Sequence, residues 1–406
     1  MGVGAAASFG EYKHGYTPQE EMMPVEIRHG ALFIGIPKET TLQENRVPLI
    51  PSAVRTLVGR GHRVRIQRGA GLKSNFTDIE YSEAGAELHE DTRSIFEADI
   101  VIKSAPPTLE EIDFCHPDQV IITPLQAPII TAEYIEKLCQ KRVIALAMEY
   151  LSDDKGTYPI VRIMSEIAGS CSMLIAAELL SINRGGIGEL LGGVAGVPPA
   201  KVVILGAGVV AEFATRVALG LGAEVRVFDN NVYKLMRLQN QIGRQVYTSA
   251  IDPHVLQREL QTAEAAIGAI HSKNGRTPMV VTTDMVEKMR PGTCIIDVSI
   301  DQGGCFETSR VTSHEKPTYT HNEIIHYCVP NIASRVPRTA SKAISHVIMP
   351  LLLETVERNG FLNLLSQSPG LMNGVYIYKG SLTNQYLSQR FKKRYTNIQL
   401  LVTNNH

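Results

Sequence analysis

The chain has 406 residues, enough for two or three domains. Its 44% apolar and 20% charged residues fit a folded globular protein, and a formal net charge of −1 gives no overall field to attract nucleic acid or an anionic membrane. The six cysteines (Cys115, Cys139, Cys171, Cys294, Cys305 and Cys328) form no C-x-x-C pair and no zinc-ligand spacing, so reduced thiols in a cytoplasmic protein and no metal are expected.

Residues 1–30 lack a basic stretch followed by an apolar run, so they read as an extension rather than a secretory signal. Their Gly/Ala-rich opening suggests a disordered tip, and Gln19–Met23 could begin an arm that docks on a neighbour. From Leu32 onward, short apolar runs alternate with helical segments. Strands are predicted at Leu32–Ile36, Arg63–Gln67, Asp99–Lys103, Gln119–Thr123 and Val143–Met148. Helices are predicted at Pro51–Arg60, Leu109–Phe114 and Glu133–Arg142, the first entered through proline. This alternation implies a parallel sheet covered on both faces. Ser165–Leu180 reads as one long helix whose small residues, including Ala168 and Gly169, permit close packing. Its apolar stretch around Ser172–Leu180 is broken by Glu178, and no apolar run reaches the roughly 18 residues of a membrane helix. The glycine-rich loop Arg184–Pro199 leads into a second module. Later strands are predicted at Ala265–Ile270 and Cys294–Ser299. A long helix is predicted at Thr339–Glu357, where Pro350 should kink or split it. The basic cluster Arg390–Arg394 reads as a solvated face.

The second module carries the most informative local pattern. Strand Val202–Leu205 runs into Gly206-Ala207-Gly208-Val209-Val210-Ala211, then helix Glu212–Leu221, then strand Glu224–Phe228 ending at Asp229. A G-x-G-x-x-A turn between strand and helix, with an acid about twenty residues on, is the fingerprint of a dinucleotide site. Gly206 permits the turn, Gly208 lets a pyrophosphate approach, and Ala211 lets the helix pack on the strand. The free N–H groups of the helix start, with Val209 and Val210, suit phosphate. Asp229 can bind ribose hydroxyls and would repel a 2′-phosphate, which favours NAD over NADP although Arg226 and Arg237 lie nearby.

Further blocks carry a resemblance. They are Gly35-Ile36-Pro37-Lys38-Glu39 with Glu44-Asn45-Arg46-Val47, Gly69-Ala70-Gly71, Met164–Gly169, Gly192–Val197, Asp301-Gln302-Gly303-Gly304-Cys305-Phe306-Glu307 and Tyr327–Asn331. In that order, over about residues 32–375, the chain resembles the alanine dehydrogenases and, more distantly, the NAD-binding subunit of proton-pumping transhydrogenase. The resemblance implies an α/β fold of two Rossmann-like, doubly wound domains with a cleft between them. It assigns residues 31–163 and 335–406 to a substrate domain and 164–334 to an NAD-binding domain. It also implies reversible oxidative deamination of L-alanine to pyruvate and ammonium, with hydride passing to nicotinamide, and assembly as a homo-oligomer. By the same resemblance Arg46 pairs with the substrate carboxylate and Asp301 positions water or ammonium. Cofactor contacts fall at Ser165, Gly206, Gly208, Asp229, Lys234, Ile270, Val298, Ser299, Ile300, Asp301, Arg310, Val329 and Asn331.

Two positions depart from the family pattern. Where the family has a second lysine and a histidine, this chain has Ala105 and Gln126. Gln126 can hydrogen-bond but cannot titrate near neutral pH. Lys103, two residues before Ala105 on a strand, should point the same way, and a desolvated lysine can lower its pKa and act as a base. Asp301 with a bound water is the other candidate for proton transfer. His271 and His326 are expected to be non-catalytic. The departures keep two alternatives open: a transhydrogenase-type subunit, and an NAD(H)-binding sensor that has lost catalysis.

Overall fold

The computed structural model describes residues 31–403 except 128, 154, 273 and 274; the 1–30 extension and its expected arm lie outside the described residues. Two α/β sheets organise the chain. In chain order the first sheet begins with β1 (Phe33–Ile36), β2 (Arg63–Gln67), β3 (Glu87–His89), β4 (Ile100–Ile102), β5 (Val120–Thr123) and β6 (Ile144–Ala147). Strands β4, β5 and β6 are buried at every residue, as expected of short apolar runs covered on both faces. Helix α1 (Pro51–Gly59) starts on proline, and α2 (Ala132–Lys141) is capped by the Thr131 hydroxyl and stopped by Arg142 in a left-handed conformation.

The second sheet holds β7 (Lys201–Leu205), β8 (Glu224–Phe228), β9 (Tyr247–Ser249), β10 (Ala265–Gly268), β11 (Cys294–Asp297), β12 (Thr318–His321) and β13 (Ile324–Tyr327). Its order is β12-β13-β11-β10-β7-β8-β9, parallel except for the edge strand β12. The chain then returns to the first sheet with β14 (Val375–Tyr378), antiparallel to β6, and β15 (Ser381–Leu382), giving the order β15-β14-β6-β5-β4-β1-β2-β3. In each sheet the strand order reverses at one point, between β1 and β4 and between β7 and β10. Ligands of open α/β sheets bind at the carboxyl ends of the strands at such points. The loops after β1, β4, β7 and β10 border these reversal points.

Helix α3 (Pro159–Leu179) joins the two cores. Ile160 and Met164 pack with the first, and Ala168, Cys171, Met173, Ile175, Ala176 and Leu179 with the second. The helix starts six residues earlier than predicted, and by length and composition alone it could cross a membrane. Its apolar surface is instead divided between the two cores. Glycine at 169 sets how closely it approaches α4 (Val209–Gly220): a Cβ at this position would lie 2.3 Å from the Val210 carbonyl oxygen. After α5 (Val232–Ile242) comes the long helix α6 (Pro337–Glu357), which is not split at Pro350. Pro350 and His346, whose carbonyl loses its partner, are both exposed, so water can take the freed group. Ile344, Ile348, Leu352 and Thr355 are buried on either side and hold the helix in place.

The α3–α4 contact yields a direct test. The Gly169→Ala variant, measured by chemical denaturation, should lose about 1–3 kcal/mol by overpacking against the Val210 carbonyl. An unchanged midpoint would mean that the two helices can separate without cost.

Candidate functional site

The turn after β7 has the geometry its sequence implied. Gly206 has φ +107°, and a Cβ there would meet the Ala269 carbonyl oxygen at 2.4 Å, so the position demands glycine. A Cβ on Gly208, by contrast, would meet nothing within 4 Å, which leaves open space beside the start of α4. Asp229 stands at the end of β8. Its carboxylate accepts the Ala207 N–H at 2.8 Å and the Asn231 N–H at 2.7 Å, fixing it against the turn with lone pairs to spare for ribose hydroxyls. Arg226 is engaged elsewhere, by Glu224 and Glu259 and over the Tyr247 ring. Lys234 lies in the first turn of α5, and its charge adds to burial in lowering the pKa of the exposed His271, so the two share one side of the site. These residues could hold a dinucleotide, with the pyrophosphate at the turn and Asp229 at a ribose.

The turn after β11 explains why the Asp301 block has two glycines. Gly303 and Gly304 have φ +98° and +82°, curling the chain back so that the Cys305 N–H reaches Asp297 at 3.0 Å. Asp297 also accepts from Ser299 N–H at 3.0 Å and from the Ser309 hydroxyl at 2.7 Å. Ser299 in turn accepts the Ile270 N–H at 2.9 Å, and the Gln302 amide bonds both backbone groups of Ser272. The segment Val298–Asp301 is thus locked to the loop after β10. Ser165 is half-buried on α3, Val329 is buried, and Arg310 lies 4.0 Å above the Tyr319 ring.

The other half of the site is the loop after β1. Arg46 and Glu44 form a buried, two-point ion pair, Nε to Oε1 at 2.7 Å and Nη2 to Oε2 at 2.6 Å. Burial pushes the Glu44 carboxyl up, but the Arg46 charge and hydrogen bonds outweigh it and hold it below the usual range. The Arg46 Nη1 meets only a weak acceptor, the Met164 sulfur at 3.2 Å, so the Nη1/Nη2 edge remains for a ligand carboxylate. Asn331 joins the two halves. Its side-chain N–H donates to Glu44 at 2.7 Å and its backbone N–H to Asp301 at 3.1 Å. Asp301 keeps an exposed surface while protein closes round its carboxyl on the remaining sides. That desolvation raises its pKa to about 6, against the opposing pull of the Asn331 N–H and Arg46.

Lys103 requires a correction. It is 1% exposed, with Nζ 3.0 Å from both Glu39 and Glu111. Burial alone would lower its pKa, but the two carboxylates outweigh burial and the net direction is upward. A lysine held charged between two acids is a poor proton acceptor, so the expected lowered pKa does not arise. Glu39 also accepts the Ser104 and Ala105 N–H groups, which ties the β1 and β4 loops together. Gln126, at the end of β5, has φ +48°, and its N–H and that of Leu125 donate to Glu149. Glu39 and Glu44 lie in the family-like blocks, but no site role was expected of them or of Glu111 and Glu149. Only Glu44, two residues before Arg46, carried a local signal. His326 is fully buried, bonded to Thr308 and the Ile324 carbonyl and stacked on Tyr319, and burial lowers its pKa to about 4.

Comparison with known proteins places this arrangement. The family models described as "Alanine dehydrogenase/PNT, N-terminal domain" and "Alanine dehydrogenase/PNT, C-terminal domain" match residues 35–168 and 172–385. An alanine dehydrogenase of Staphylococcus saprophyticus is 36% identical over 370 residues, covering 91% of this chain and 99% of that protein. Alanine dehydrogenase 2 of Staphylococcus aureus is 36% identical over 368 residues, 90% of this chain and 98% of its own. A solved L-alanine dehydrogenase structure superposes with a TM-score of 0.83 at 38% identity, covering 88% of this chain and 99% of its own. A transhydrogenase from Sinorhizobium meliloti shares the fold with a TM-score of 0.74 at 22% identity, covering 87% and 99%. With both domain models matched in order and these relatives covered almost end to end, the chain belongs to the alanine dehydrogenase/PNT family.

Proposed function

We propose that this protein is an NAD-dependent alanine dehydrogenase, catalysing the reversible conversion of L-alanine, NAD⁺ and water to pyruvate, ammonium and NADH. The observation that carries this reading is the junction at Asn331, which bonds both Asp301 and Glu44, the ion-pair partner of Arg46. A bound nicotinamide dinucleotide would supply the acceptor for the substrate hydride. Gly206, Gly208, Val209 and Val210 would receive its pyrophosphate, and Asp229 its adenosine ribose. Ser165, Lys234, Ile270, Val298, Ser299, Ile300, Arg310, Val329 and Asn331 would line the rest of its path. We assign residues 31–163 and 335–406 to the substrate domain and 164–334 to the nucleotide domain.

Arg46 offers its free edge to the substrate carboxylate and fixes the α-carbon in place. Asp301 stands within the field of that arginine, and its pKa of about 6 leaves it ionised at neutral pH yet able to take a proton. It would accept a proton from the water that attacks the imine carbon and stabilise the cationic imine before attack. Gln126 would hydrogen-bond the substrate without titrating. Lys103 would serve the site indirectly, by neutralising Glu39 and Glu111. Cytoplasmic residence is the setting we assign, consistent with six unpaired thiols. Leu174, Ile182, Leu190, Val194 and Val197 are all more than half exposed on the nucleotide-domain side, which supports assembly of identical copies.

NADH formation from L-alanine, followed by absorbance alongside a panel of small amino acids, tests the reading. Tight NADH binding with no turnover of any of them would replace it with a sensing role. For Asp301, kcat/KM for alanine should fall as pH drops through about 6, because the protonated carboxyl can no longer accept a proton. Asp301→Asn should remove that acid limb and cost on the order of 10²–10⁴ in kcat/KM; an unchanged profile would assign the proton to another group. Lys103→Met strands two buried carboxylates and should cost about 3–5 kcal/mol of stability, read by urea denaturation. A variant of wild-type stability with no activity would instead give Lys103 a role in the chemistry.

A further inference from the structure

The loop that presents Arg46 contains two adjacent residues in the left-handed region, Leu42 at φ +56° and Gln43 at φ +49°. Neither is glycine, and such residues hold this conformation only when their surroundings fix it. The loop's own turn bond, Glu44 N–H to the Thr41 carbonyl at 3.0 Å, closes on residues that already share the strain. The external constraint comes from the other sheet. The Gln43 side-chain oxygen accepts the His314 backbone N–H at 2.7 Å. His314 itself is anchored to the strand that leads to Asn331: two residues before it, Thr312 exchanges hydrogen bonds with Cys328 at 3.0 and 3.3 Å, three residues before Asn331. Asn331 then reaches back to Glu44 with its side chain. Ser334 adds a second crossing, donating its hydroxyl to Glu44 at 3.1 Å and accepting the Asn45 N–H at 2.9 Å.

These bonds form a closed circuit. It runs from Gln43 to His314, along the chain to Thr312, across to Cys328, along the chain to Asn331, across to Glu44 and back along the chain to Gln43. Arg46 hangs from Glu44 on one side of the circuit, and Asp301 from Asn331 on the other. We propose that Gln43 is a positioning residue for substrate recognition: its side-chain bond to His314 holds the strained loop that aims Arg46 at the substrate carboxylate. The inference rests on Arg46 having the role given to it above. Gln43 touches no reacting atom; it acts through the loop. Because the strain sits in the two residues just before Glu44 and Arg46, releasing the clasp frees the loop to relax and swings the guanidinium off its line. The glycine turn after β7 and Asp229, which would hold the pyrophosphate and the ribose, take no part in this circuit.

Gln43→Ala removes the acceptor, whereas Gln43→Glu keeps an oxygen in place. Steady-state kinetics with L-alanine and NAD⁺ should show the alanine KM of Gln43→Ala raised on the order of tenfold, with kcat and the NAD⁺ KM within about twofold of wild type. Gln43→Glu should restore the alanine KM to within about threefold of wild type. Pyruvate binding to the NADH-loaded enzyme, followed by nucleotide fluorescence, should weaken by the same order in Gln43→Ala. An alanine KM and pyruvate affinity that do not move would overturn the inference. So would a uniform loss in every parameter together with the melting temperature. Should the wild-type protein turn over no amino acid, the proposed reaction fails, while the pyruvate titration still decides whether the clasp sets carboxylate affinity.

Discussion

Everything at the junction of the two sheets follows from burying Glu44. An ionised carboxylate without partners is too costly to keep inside a protein, and Arg46 supplies only part of what it needs. The rest comes from the other sheet, as the Asn331 amide and the Ser334 hydroxyl. One carboxylate therefore draws groups from both halves of the molecule to a single point. The same Asn331 turns its backbone N–H to Asp301, so satisfying a buried acid also sets the separation between Arg46 and Asp301.

A parallel problem, solved within one sheet, accounts for Lys103. Glu39 is buried, and desolvation raises its pKa. Lys103 offsets both Glu39 and Glu111, and in doing so is itself held charged. Two buried cations, Arg46 and Lys103, thus answer to different acids. Arg46 has an edge left over once its acid is bound, because the guanidinium is a planar fork with five N–H groups. Lys103 has its charge shared between two acids 3.0 Å away. The chemistry falls to the group whose partners leave it unfinished.

The sequence made the fold largely legible, since β1, β5 and β7 are short runs dominated by apolar residues and β2 and β8 alternate apolar with polar residues. The dinucleotide turn was legible because Gly206 sits at a positive φ, a local demand, even though the clash that also requires glycine there comes from distant Ala269. Pro350 does not split its helix, because a helix interrupted on its wet side can be carried by packing on its dry side, which no local rule encodes. Lys103 was misjudged because its pKa is set by Glu39, sixty-four positions earlier, and by Glu111, one helical element later. Glu149 and Asn331 were invisible as site organisers, because each acts through backbone or amide contacts with distant loops.

The return of the chain to its first sheet has a consequence for biosynthesis. Strands β7 to β13 are contiguous, so the nucleotide sheet can close once Tyr327 has emerged from the ribosome. The first sheet cannot, because β6 presents an unpaired edge until β14 arrives more than two hundred residues later. During that interval a row of unpaired backbone groups on a strand of Ile, Ala and Leu is available for pairing with another chain. Native pairing here carries a long loop-closure distance, and such contacts form late. The protein's most hazardous moment is therefore set by topology: it comes during synthesis, when half of the molecule is finished and the older half still waits for its last two strands.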